Sequence, residues 1–420
     1  PVALTASVDE GPGATRRPAD ETFGYRKAQR AEARRAYLLA VPLLLFLTLT
    51  FILPILSLLW RSVDNPELKA AMPTLVTALG DWDGRDLPGP QVFDAFAKDM
   101  ATAAEGGGLA QVGRRLNYYE PGFRSLLLKT ARSLPAAPED DWRSTIVKID
   151  KRWGETETWR LVQRAARSLT PDYLLTAIDR TTDANGEIVA VAPDQRVYIA
   201  ALLRTLWIAT VVTVLCLALG YPVAYLLATL PAQQSNLMMI FVIVPFWTSL
   251  LVRTTAWYVL LQPSGVINTL LMSTGLANEP VPLVFNRTGV LIGLTHILLP
   301  FMILANYAVM KGISPVYYRA ALSLGAHPVT AFRRVYVPQT LPGIGAGVFL
   351  VFVLTLGYYI TPALLGGGGD EMISQLIAIQ MEKQLNWGLA GALSAYLVLI
   401  TVAIYVAFSQ LMGVDRLKMG

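Results

Sequence analysis

YYRAALSLGAHPVTAFRRVYVPQTLPGI, residues 317–344, carries Arg319, Arg333 and Arg334 and is punctuated by Gly325, Pro328, Pro338 and Pro342. It lies between two of the most apolar stretches of the chain. About 20 apolar residues in a helix cross a hydrocarbon core of about 30 Å. A short, basic, punctuated segment between two such stretches is therefore a structured loop on one side of a membrane.

The rest of the chain agrees. Of its 420 residues 54% are hydrophobic and only 15% charged, against about 25% charged in soluble domains. Six apolar stretches are long enough to span. The first, residues 36–60, holds no charge and is too long for a cleaved signal core, so it reads as an anchor that stays. The others run over about 203–229, 236–262, 288–310, 343–365 and 388–411. Lys and Arg cluster before the first span (Arg26 to Arg35), between the fourth and fifth (Lys311, Arg319, Arg333, Arg334) and after the sixth (Arg416, Lys418). With six spans these regions share one side, the cytoplasm, and both termini lie inside.

The expected fold is all-α and polytopic. A cytoplasmic tail, 1–35, precedes the first span at 36–60. A mostly helical extracytoplasmic domain occupies 61–197. A membrane core with the other five spans occupies 198–411, and a cytoplasmic tail follows at 412–420. Residues 1–25, rich in Pro, Gly, Ala and Thr, have the composition of a disordered segment. Within 61–197, Phe123, Leu127, Ala131 and Leu134 recur at helical spacing, as do Trp159, Val162 and Ala166. Gly106 to Gly108 marks a break between helices, and Asn185-Gly186 before EIVAV a hairpin turn.

The opening loop reads as two short helices. Ser314 caps the first, with Pro315 in its first turn, and Gly325 supplies a left-handed stop. His327-Pro328 begins a second helix that runs to about Tyr336 and is ended by Pro338 and Pro342. Ala320, Ala321 and Gly325 leave a low surface that another protein's groove can approach closely.

RAALSLGA followed by FRRVYVPQTLPGI resembles the coupling-loop signature of ATP-binding-cassette importer permeases, in which an acidic residue and two alanines precede a glycine and, further on, Leu-Pro. Stretches 203–228, 244–261 (VPFWTSLLVRTTAWYVLL) and 356–368 (LGYYITPALLGGG) are similar to the spermidine/putrescine type. The resemblance covers about 200–411 and the first span. It implies an ATPase-coupling loop at 311–342, carried by Arg319, Ala320, Ala321, Leu324, Gly325, Ala326, Pro338, Leu341, Pro342 and Gly343. Here Arg319 stands where the pattern has an acid, and Tyr358-Tyr359 where polyamine-type members often carry a carboxylate. The resemblance further implies an ATPase dimer, a second permease subunit of different sequence and a periplasmic binding protein as partners. The substrate would be a polyamine or another small organic solute. ATP and magnesium would sit on the ATPase, with no cofactor on this chain, and the site of action would be the bacterial inner membrane.

Candidate path residues are Arg253, His296, Asn306, Tyr358, Tyr359 and Thr361. A charge such as Arg253 within a span costs about 2.5–3.5 kcal/mol on insertion scales, so it must face protein or water. Tyr358, Tyr359 and Thr361 lie at a Gly- and Pro-flanked break, tolerated at membrane depth where it lines a cavity or is buried in protein. Gly366 to Gly369 reads as a flexible external turn. No metal-ligand spacing, nucleophile–base pair or nucleic-acid patch is present in the sequence, and the lone Cys216 cannot form an internal disulfide. Two other readings are a membrane sensor with an external ligand domain and an ion-coupled secondary transporter. Neither accounts for the loop.

Overall fold

The computed structural model describes residues 39–138, 140–183 and 187–412. The N-terminal tail with its basic cluster, the Asn185-Gly186 turn and the C-terminal tail lie outside the described residues. The chain forms two units, residues 1–57 and 58–420. The described part of the first, residues 39–57, lies in a helix, α1, that runs Leu39–Trp60 with mean hydropathy 2.6. It is apolar all round, as a helix facing lipid must be. A π-helical turn at Thr48–Ile52 precedes Pro54, and the Thr48 and Thr50 hydroxyls donate to the carbonyls of Leu44 and Phe46. The polar groups of α1 are thus satisfied within the helix.

The second unit begins with a helical domain: α2 (Glu67–Ala71), α3 (Pro73–Gly80), α4 (Pro90–Glu105), α5 (Leu109–Tyr119), α6 (Phe123–Ser133), α7 (Trp142–Ile149), α8 (Thr156–Ala166) and α9 (Asp172–Thr176). The break at Gly106 to Gly108 falls between α4 and α5. Strands β1 (Arg180–Thr182) and β2 (Ile188–Ala190) pair antiparallel on either side of the undescribed turn. The core holds Phe93, Phe96, Met100, Leu116, Trp153 and Trp159, all but fully buried. Both indoles find partners: Trp153 Nε1 donates to Thr130 Oγ1 and Trp159 Nε1 to the Trp153 carbonyl, each at 2.8 Å. The helical spacings at 123–134 and 159–166 correspond to the buried faces of α6 and α8.

The two ends of this domain are tied together. Asn65 N donates to the Ser168 carbonyl (3.0 Å) and Thr170 N to that of Val63 (2.8 Å). Buried Asn65 also donates through Nδ2 to Ala165 and Arg167 carbonyls and accepts from Arg115 Nε at 2.6 Å. Asp172 receives Arg115, Arg164, Tyr119 and Thr170 in one buried cluster.

The apolar helices follow: α10 (Tyr198–Thr229), α11 (Ala232–Ile243), α12 (Leu250–Leu261), α13 (Val266–Ser273), α14 (Arg287–Met310), α15 (Pro315–Ser323), α16 (Pro328–Gly357), α17 (Ile360–Leu365), α18 (Ile373–Glu382) and α19 (Trp387–Met412). Counting α1, five helices are long and apolar enough to cross a membrane by themselves, and a bent pair makes up to six. That is an all-α polytopic membrane protein.

One expectation gains a detail and another is corrected. The span expected over 236–262 is a pair of arms bent by 98°. A 3₁₀ turn at Val244–Trp247 contains Pro245, Thr248 is extended, and Ser249 restarts the helix by accepting from Val252 N at 3.2 Å. The second loop helix does not stop near Tyr336. It continues as α16 through a π turn, Phe332–Tyr336, to Gly357. The extra residue of that turn resets the hydrogen-bond register, so that Pro338 falls in a first α turn, where no donor is needed.

Close helix contacts depend on glycine. A Cβ on Gly220 would lie 3.1 Å from Met302 Cγ, and one on Gly347 would lie 2.7 Å from Met302 Sδ, so α10 and α16 both press against α14.

The helical domain is not a loose insertion. Asp179 caps α10, its carboxylate accepting from Val197, Tyr198 and Ile199 N–H groups at 2.9–3.1 Å. A carboxylate there also complements the helix dipole. Tyr173 and Ala177 share a buried cluster with Ala201 of α10, Ile373 of α18 and Leu389 and Leu393 of α19. Gly388 makes the approach possible, since any Cβ there would collide with the Tyr173 ring. The expected flexible turn at Gly366 to Gly369 is likewise pinned: Asp370 pairs with Arg287 at 3.1 Å, and the Glu371 carbonyl accepts from Arg204 at 2.8 Å.

Candidate functional site

The 311–342 loop is a capped short helix followed by the start of a long one. Ser314 Oγ caps α15, accepting from Val316 N at 3.4 Å, and Pro315 occupies the first turn. Gly325 closes the helix at φ +87°, a left-handed conformation that side chains disfavour. His327 then caps the start of α16. No residue of α15 is buried, and Tyr317 is 58% and Leu324 88% exposed. A hypothetical Cβ on Gly325 meets nothing within 4 Å. Arg319 and Ala320 are exposed, and Ala321 and Ala326 half-buried. Pro338, Leu341 and Pro342 are exposed near the start of α16, whereas Gly343 is buried with its Cβ position 3.0 Å from Val309 Cβ. Gly343 thus seats α16 on α14.

The sequence reading missed how this loop is held. Phe332 stacks on Tyr336 (5.5 Å between ring centres), and Tyr225, near the end of α10, meets both edge-on at 5.4 and 5.2 Å. Ile313 and Tyr318 pack against the same cluster, and Tyr221 Oη and Thr340 Oγ1 lie 3.2 Å apart. The ring residues were visible; their convergence was not, because it depends on the π turn.

The second group lies where α12, α14 and α17 meet. Thr254 and Thr361, both fully buried, share a hydrogen bond of 3.2 Å. Trp257 stands edge-on to His296 at 5.3 Å. Arg253 directly precedes Thr254 on α12. Its Nε and Nη1 are buried without an acceptor, as is His296 Nδ1. The expected break is real: α16 ends at Gly357, Tyr358 is extended, and its carbonyl accepts from Ser374 Oγ at 2.7 Å before α17 begins. Tyr359 is 38% exposed. A Cβ on Gly293 would lie 3.0 Å from Thr361 Cγ2, so α14 needs glycine where α17 crosses it. Five of the six proposed path residues therefore belong to one region. Asn306 lies apart, donating from Nδ2 to the Met302 carbonyl at 2.9 Å beside Gly347, with Oδ1 buried and unpartnered.

Among the described residues no cluster of His, Cys, Asp and Glu is arranged to hold a metal. Cys216 is buried, its thiol 3.5 Å from the Thr295 carbonyl.

These features coincide with a known sequence profile. Residues 198–417, just over half of the chain, match the family described as binding-protein-dependent transport system inner membrane component. The chain belongs to that family. It is 35% identical over 203 residues to the spermidine/putrescine transport system permease protein PotB of Escherichia coli K12, covering 48% of this chain and 74% of that one. It is 34% identical over 226 residues to the inner membrane ABC transporter permease protein YdcU of the same organism, covering 50% and 71%. A bacterial transporter involved in import of the acidic polysaccharide alginate superimposes with a TM-score of 0.42 at 19% identity, over 51% of this chain and 78% of that one, which adds no weight. The protein is an importer permease of the PotB type, a transport subunit of the bacterial inner membrane and not an enzyme. The family's description ties its members to binding-protein-dependent transport. The family match begins at residue 198, so the helical domain before it lies outside the match.

Proposed function

We propose that this chain forms one half of a translocation path with both termini in the cytoplasm, the bent pair α11–α12 serving as one of six spans. The loop 311–342 docks on an ATPase dimer, and ATP-driven closure of that dimer is passed through the Tyr225–Phe332–Tyr336 brace to α10 and α16. The observation that carries this reading is α15, a capped helix with exposed Tyr317 and Leu324, seated on a rigid aromatic base. An apolar helix face left open beside packed rings suits a groove on another protein. The second permease is a different chain, and a periplasmic binding protein delivers the solute. The domain at 61–197 lies outside the membrane and braces that delivery.

The PotB relatives support a polyamine as substrate. Arg253 favours a second reading, a solute with a negative group: its Nε and Nη1 are buried without an acceptor, one residue from Thr254, which bonds Thr361. A polycation would be repelled there unless the second permease places a carboxylate against Arg253. Uptake by the reconstituted importer separates the two. Under the polyamine reading, Arg253→Gln leaves spermidine uptake equal or faster. Under the second, wild-type protein does not carry spermidine, and R253Q loses uptake of the true solute. ATPase that fails to bind a chain with an intact 311–342 loop would overturn the coupling reading itself.

A further inference from the structure

The helical domain and the turn before α19 enclose a cavity of about 740 Å³ that the transport reading does not use. Arg61, Arg114, Arg115 and Arg124 line it with a single carboxylate, Glu67. Arg61, Arg114 and Arg124 are exposed and make no ion pair among the described residues. Arg115 is different. It is 4% exposed, sandwiched between Tyr119 and Tyr173 (4.4 and 4.5 Å to the ring centres) and fixed by Asn65, yet its Nη1 has no partner. Glu67 Oε2 is also buried and unpartnered. One orphaned donor of positive charge and one orphaned acceptor of negative charge therefore line the same cavity. Buried polar atoms are rarely left without a partner, and atoms lining a cavity find one in what occupies it.

We propose that this cavity binds a phosphate-bearing group that also carries a primary ammonium group. The phosphate oxygens accept from Arg115 Nη1 and the exposed guanidiniums, whose forked donors match a tetrahedral oxyanion. The donor meets Glu67. Arg61 directly follows the end of α1, and Trp387, which also lines the cavity, opens α19. Both span ends fall where phospholipid headgroups lie. The same chemistry is offered by a lipid headgroup or by a free phosphomonoester, and the site stands whichever supplies it.

The test uses the full chain. In detergent, O-phosphoethanolamine and phosphocholine are titrated calorimetrically. In nanodiscs, phosphatidylethanolamine and phosphatidylcholine compete for retention, read by native mass spectrometry. Binding of free phosphoethanolamine identifies a soluble ligand, and retention of phosphatidylethanolamine alone identifies a lipid. In either case the double variant Arg114→Gln/Arg124→Gln, both exposed and outside the core, lowers affinity by about tenfold or more, the effect of losing charge-assisted hydrogen bonds. Arg85→Gln, an exposed control elsewhere in the domain, leaves it unchanged. The choline forms, which lack the donor, bind about tenfold more weakly. Absence of binding by both ethanolamine probes, unaltered binding in the double variant, or equal binding of choline and ethanolamine forms would overturn the proposal.

Discussion

Substitutions at Gly325 separate two effects that its position combines. The first is conformational. At φ +87° an L-residue is disfavoured by about 1–2 kcal/mol, a factor of about 5–30 in the population of the closed α15 terminus. Asparagine tolerates this region and costs less. The second effect is steric and lies outside the chain. Since a Cβ at Gly325 meets nothing within 4 Å, a side chain added there starts in open space. Gly325→Asn should therefore transport nearly normally. Gly325→Ala should fold and assemble but lower ATPase coupling by no more than the 5–30-fold backbone effect. Gly325→Leu shares alanine's backbone cost and adds bulk to the face assigned to the ATPase. The assay is solute-stimulated ATP hydrolysis in proteoliposomes, with co-purified ATPase measured beside it. Leucine and alanine variants that behave alike would refute the claim that this open space is a docking surface.

The aromatic brace predicts a coupled pair. Tyr225→Leu and Phe332→Leu should show an interaction energy of about 0.5–1.5 kcal/mol in a double-mutant cycle on thermal stability, and the loss should appear in ATPase coupling as well. Gly388→Val should force Tyr173 away from α19 at a cost of about 1–3 kcal/mol, seen as faster proteolysis of the helical domain. Asp172 gives a pH signature. Burial alone would raise its carboxyl, but hydrogen bonds from Arg164, Thr170 and Tyr119 outweigh burial and hold it below the usual range. A depressed folded value means the stabilisation is complete above the unfolded value, about 3.9, and is lost as pH falls below it. Tryptophan fluorescence of the domain should thus be constant from about pH 8 to about pH 5 and change only under stronger acid, whereas Asp172→Asn destabilises at all these pH values.

The spans were legible because each is a long, nearly uncharged run, and Ser314, Pro315 and Gly325 announced α15 through capping chemistry alone. The break at Tyr358 was legible too, from the glycine and proline around it. The bend at Thr248 was not, since Pro245 within an apolar run is compatible with a kinked but continuous helix. Pro338 and Pro342 suggested an end to the second loop helix because periodicity does not register a π turn. The domain at 61–197 gave up its helices but not its attachment. Asp179 capping α10, and Tyr173 seated on Gly388, join residues far apart in sequence that carry no local signal. The meeting of Thr254 with Thr361 and of Trp257 with His296 is likewise a product of packing among three helices.

The central claim is that loop 311–342 joins this permease to an ATPase. Site-directed cross-linking tests it most directly. A cysteine at exposed Leu324, introduced in a Cys216→Ala background, is cross-linked in native membranes and the partner identified by mass spectrometry. The account predicts an ATP-binding-cassette ATPase, with the yield changing when ATP is added. Cross-links only to lipid-embedded or extracytoplasmic proteins would contradict it.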